Sequence, residues 1–114
     1  MAKPINILLD TDTPLADFAA ELSQLLDIEL LPSIGTDKVY EFRAMTLMLG
    51  LRQLDAPQAE CRYLISINGI FGSEEQRTKW TEDWAYSILQ TLKATQKYRL
   101  KRIDQPTLIK IKPA

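Results

Sequence analysis

Two aspartates separated by a single residue, Asp10-Thr11-Asp12-Thr13, directly follow the apolar run Ile5–Leu9. Carboxylates so spaced at the end of a strand can hold Mg²⁺ or Ca²⁺, or divide the roles of nucleophile and general acid. A second locus lies near the other end. Between Lys93 and Ala114 there are seven basic residues and only Asp104 against them, whereas Met1 to Asp37 carries seven acidic residues and one Lys. Basic strands can follow a phosphate backbone, and Tyr98 among those charges could stack on a base. Lys97, Arg99, Lys101, Arg102, Lys110 and Lys112 are the candidate anion or nucleic-acid contacts. A bland explanation competes with both: Asp12 and Thr13 cap a helix, and the basic edge neutralises the acidic one. Net charge is −1, without the global basic excess of a nucleic-acid binder.

Histidine is absent, which removes Ser-His-Asp and Cys-His catalysis, imidazole proton shuttling and imidazole-ligated metals. Cys61 is the single cysteine, so no intrachain disulfide or multi-cysteine metal site can form, and it reads as a small buried hydrophobe. The run ILLDTDT resembles the first motif of haloacid-dehalogenase-like phosphatases, an apolar strand followed by Asp-x-Asp-x-Thr. It is also similar to the calcium-binding start of nucleoside hydrolases, where Asp-Thr-Asp follows an N-terminal strand. Either resemblance implies a metal-dependent hydrolase or phosphoryl-transfer site at Asp10 and Asp12. It covers fewer than a dozen residues, and Glu82-Asp83 falls on the polar side of a helix, not in the context of the later acidic pair that such phosphatases carry.

The elements that would position these residues follow from periodicity. Ile5–Asp10 reads as a buried strand. Thr13 and Pro14 open a helix in which Leu15, Phe18, Ala19, Leu22, Leu25 and Leu26 recur on one side, ending near Asp27. Ile28–Leu31 is a short extended piece and residues 32–36 a turn. Lys38–Leu54 alternates and is assigned a long strand, with Gly50 at a bulge or twist. Residues 55–58 read as a turn and Cys61–Ile70 as the returning strand of a hairpin.

Ser73–Thr95 is the longest helical period in the chain. Trp80, Thr81, Trp84, Ala85, Ile88, Leu89 and Leu92 share one side, and Ser73 with Gln76 has the spacing of a capping box. Lys97–Ile103 alternates again, with Tyr98 and Leu100 inward. Asp104-Gln105-Pro106 is a turn before a final strand, Leu108–Lys112.

At 114 residues, with 46% hydrophobic and 25% charged, the chain reads as a single folded domain over residues 1–114. The element order predicts an α+β, two-layer, ferredoxin-like split βαβ plan with an extra C-terminal strand and both helices on one side of the sheet. The opposite side is expected to be uncovered and to present Tyr40, Phe42, Met48 and Leu64 as a partner surface. No stretch suits a signal peptide or a membrane span. The expectation is a small cytosolic, non-catalytic binding or regulatory module. It needs no metal or cofactor, acts through protein contact and is open to forming a homodimer. Nucleic-acid binding at the basic hairpin and metal-dependent hydrolysis at Asp10 and Asp12 are the alternatives.

Overall fold

The computed structural model describes residues 4–58 and 60–103, with the side chains of residues 58, 102 and 103 left aside. The chain is α+β: strands β1 (Ile5–Asp10), β2 (Leu31–Pro32), β3 (Val39–Arg43), β4 (Leu47–Gln58), β5 (Cys61–Gly69) and β6 (Arg99–Ile103), with helices α1 (Leu15–Leu26) and α2 (Glu74–Thr95). One six-stranded sheet has the order β2-β3-β4-β5-β1-β6, antiparallel at every pairing. This departs from the expected ferredoxin-like order with an extra C-terminal strand, because β2 and β3 are added outside β4. The expected turn at residues 104–106 and the final strand Leu108–Lys112 lie outside the described residues.

The register sorts side chains into two sets. Phe42, Leu49, Ile67 and Ile5 form one row across the sheet, and Tyr40, Leu51, Ile65 and Ile7 form the next. Both rows join Phe18, Leu22, Ile88 and Leu92 in one core, so both helices lie on this side. Each fully buried Leu or Ile there contributes about 1.5–3 kcal/mol relative to exposure. Phe18 anchors the junction, its ring 4.9 Å from Tyr63 and 5.5 Å from Tyr98. On the other side of the sheet, Leu8, Leu64 and Cys61 form a smaller cluster with Leu54 against it.

Three local expectations are corrected. Lys38–Leu54 is two strands, because the chain reverses at residues 44–46, where the Ala44 N–H donates to the Leu47 carbonyl at 2.8 Å. The reversal changes the parity, so Tyr40 and Phe42 pack against the helix-side core while Met48 points the other way. Residues 55–58, expected as a turn, continue β4 through a register shift between Gln53 and Gln58. Thr13 does not cap α1: the helix starts after Pro14 with no side-chain cap, and the Thr13 carbonyl instead accepts from the Tyr63 hydroxyl at 2.6 Å.

The capping box of α2 forms as expected. The Gln76 N–H donates to Ser73 Oγ at 3.2 Å, and the Ser73 N–H donates to Gln76 Oε1 at 3.0 Å. Trp84 packs at the margin of the core, while Thr81, Ala85, Ile88, Leu89 and Leu92 are buried. The first turns of α2 are clamped to β5 through a close approach at Gly69. Its N–H donates to Thr81 Oγ1 at 2.8 Å, and a Cβ placed there would lie 2.6 Å from the Arg77 carbonyl oxygen. A Gly69→Ala variant must push helix and strand apart and should lose about 1–3 kcal/mol in urea denaturation. Gly50→Ala, which meets nothing within 4 Å, should keep the wild-type midpoint.

Candidate functional site

Asp10 closes β1 with its side chain on the side of the sheet away from the helices. Its neighbour across β6 is Arg99, and Arg62 stands one residue before Tyr63, which pairs with Leu9 on β5. Asp10 Oδ1 accepts from the Arg62 backbone N–H at 3.1 Å and from its Nε at 3.0 Å. The other oxygen, Oδ2, lies 3.5 Å from an Arg99 guanidinium nitrogen. Arg62 reaches Asp12 Oδ1 at 2.8 Å with another nitrogen, and Arg99 reaches the Glu60 carboxylate at 3.4 Å. Two arginines therefore knit three carboxylates across β1, β5 and β6.

Asp10 is the inner member of this group, its side chain 16% exposed, whereas Asp12 is fully exposed. The Arg62 hydrogen bonds hold the Asp10 carboxyl below its ordinary range against the opposing effect of burial. The same contacts raise the Arg62 guanidinium further above its already high value. Burial raises the Cys61 thiol, with Asp10 adding to the shift, and burial also raises the Tyr63 phenol.

The sequence pair Asp10/Asp12 is thus brought together, but around a guanidinium. With both Asp10 oxygens facing arginine nitrogens, the donor set does not fit a divalent cation in this arrangement, since the ion would have to displace two positive groups. Among the described residues, no cluster of three or more Asp, Glu, Cys or His side chains is placed to ligate a metal. What the cluster does chemically is cross-link three strands at one end of the sheet. Arg62 is the residue sequence reasoning missed, since its partners lie about fifty positions away. Its one available signal was that it is the lone charge in β5.

The basic C-terminal candidates divide. Lys97 and Lys101 are exposed, and Lys101 sits opposite Leu8 on the side of the sheet away from the helices. Arg99 is engaged with Asp10 and Glu60. The Arg102 side chain, Lys110 and Lys112 lie outside the described residues.

The four residues expected to form one partner surface also divide. Tyr40 and Phe42 belong to the helix side, and Met48 and Leu64 to the opposite side. On that opposite side, where none of the described helices packs, Val39, Glu41, Met48, Arg52 and Leu64 surround Gly50 and line a groove of about 250 Å³. Ser66 and Asn68 continue its floor. Asn6, opposite Ser66 in the register, is buried and its Nδ2 has no hydrogen-bond partner among the described residues. A larger cleft of about 410 Å³ lies at the β2 edge beneath Leu31 and Ile34, whose side chains are exposed at 56% and 100%.

The arginine–carboxylate cluster makes a pH-dependent contribution with a fixed sign. Because the folded-state pKa of Asp10 is depressed, its stabilisation is present above the unfolded carboxylate value of about 3.9 and disappears as pH falls through the folded value. Asp10→Asn should therefore be less stable than wild type at neutral pH, and the gap should close on acidification below about pH 4. Asp12→Asn, at a fully exposed position, should track wild type throughout; thermal melts across pH check both. No protein-family model, curated protein or solved structure matches this chain.

Proposed function

We propose that this protein is a small non-catalytic binding or regulatory module that works through contact with another polypeptide at the helix-free side of its sheet. The observation that carries this reading is the groove around Gly50. Half-buried Val39 and Met48, with buried Leu64 beneath, stand there beside Glu41 and Arg52 on the adjacent strands β3, β4 and β5, the mixture of apolar centre and charged rim that polypeptide interfaces use.

The alternatives carry less support. Phosphate recognition at β6 has Lys97 and Lys101 available, but Arg99 is committed to carboxylates. Hydrolysis at Asp10 and Asp12 would require Arg62 to leave both. For the architecture, we read β4-β5-β1-β6 with α1 and α2 as a ferredoxin-like split βαβ unit to which β2 and β3 are appended. A cytosolic location belongs to the same reading. None of the described helices is long and apolar enough to cross a membrane.

A photo-crosslinking residue in place of Met48 tests the proposal in the native cell. The expected outcome is a discrete, saturable polypeptide adduct that is lost when Gly50→Trp fills the groove and is not given by the same probe at exposed Glu75 on α2. Adduct formation indifferent to Gly50→Trp, or none at Met48, would contradict it.

A further inference from the structure

We infer that the occupant of the Gly50 groove is a second copy of this chain, packed face to face about a two-fold axis that lies between the two sheets and passes over Gly50. This inference rests on the protein-contact reading of the same groove and names the partner. Gly50 sits at the centre, and a Cβ added there would meet nothing within 4 Å. Glu41 is its direct neighbour across β3, Arg52 lies two residues along β4, and Val39 pairs with Arg52. All four lie on one side of the sheet, because pairing partners and residues two apart share a side.

The spacing makes this group self-complementary. Glu41 stands about 5 Å from Gly50 across the strands, and Arg52 stands about 7 Å from it along the strand, at right angles to the first direction. A two-fold axis lying between the sheets and running diagonally between those directions exchanges the two positions. It sets Arg52 over the partner subunit's Glu41 and Glu41 over the partner subunit's Arg52. Val39 falls near the axis and meets the partner subunit's Val39. The missing side chain at Gly50 lets the two backbones come closest at the centre. The strands of the two sheets then cross at close to 90°, one of the two standard modes of sheet-on-sheet packing.

Charge selects this occupant over others. Among the described residues, neither Glu41 nor Arg52 forms an ion pair. The groove thus offers one positive and one negative charge of its own. A nucleic acid or a strongly acidic polypeptide would set like charge against Glu41, which is costly at an interface. A second copy satisfies both charges, and an isologous contact of this kind is the commonest route to a dimer.

Sedimentation velocity over a concentration series provides the test. Wild type should show a concentration-dependent monomer–dimer equilibrium. Arg52→Glu and Glu41→Arg should each weaken it by at least about tenfold, because each sets like charges face to face. The double variant Glu41→Arg/Arg52→Glu should restore it. Circular dichroism on all three shows that the fold is kept, and restoration in the double variant separates a lost contact from a lost fold. A monomer at every concentration, a dimer indifferent to both single reversals, or a double variant no better than the singles would overturn the inference. If wild type is monomeric while the Met48 probe still captures a different polypeptide saturably, self-association fails and the protein-contact reading stands. If neither is seen, both fail.

Discussion

Burial of both faces of β1 is the constraint on which the rest of the molecule depends. The strand is flanked by β5 on one edge and β6 on the other, and every side chain from Ile5 to Leu9 is buried. Its two neighbours come from opposite ends of α2, so the position of β1 ties together strands that lie thirty residues apart in the chain. Ile5, Ile7 and Leu9 point to the helices and Leu8 points away, so β1 supplies the centre of the main core and of the smaller cluster. Once it is fixed, α2 has to cross the helix side to carry the chain from β5 to β6. That crossing is held at its start by the Gly69 and Thr81 contact and along its length by Ile88 and Leu92.

The same placement explains the arginine cluster. β1 ends at Asp10 between two strands that each bring a guanidinium, and a carboxylate in that position is satisfied by both of them. Asp10 is only 16% exposed, so removing its partners would leave a charge poorly served by water. The sequence that looks most like a catalytic motif is thereby used to close the end of the sheet. Its outer member, Asp12, is fully exposed and adds little beyond orienting Arg62.

Much of the fold is legible in the residues, and the failures have physical causes. The helices were readable from their apolar stripes, and α2 also from its Ser73 and Gln76 cap, whereas the Thr13 cap expected for α1 did not form. β1, β5 and β6 were readable because alternation or continuous burial marks them. The β3–β4 hairpin was not, because its turn is Ala44-Met45-Thr46, without the Gly, Asn, Asp or Pro that usually signals a reversal. Since side chains alternate with a period of two, that unmarked turn changed the side assigned to Tyr40 and Phe42 relative to Leu49 and Leu51. The partner surface inferred from one unbroken strand therefore mixed residues from two sides. The ion-pair cluster was invisible for another reason, since Arg62, Arg99 and Asp10 meet only once the strand order is known.

The central claim, that β1 is an interior strand, is open to amide hydrogen exchange in the native state. Successive N–H groups in a strand point to alternate edges. Flanked by β5 and β6, β1 should show unbroken slow exchange from Asn6 through Leu9, opening only with global unfolding. An alternating pattern, with every second amide exchanging quickly, would place β1 at an edge of the sheet and contradict the account.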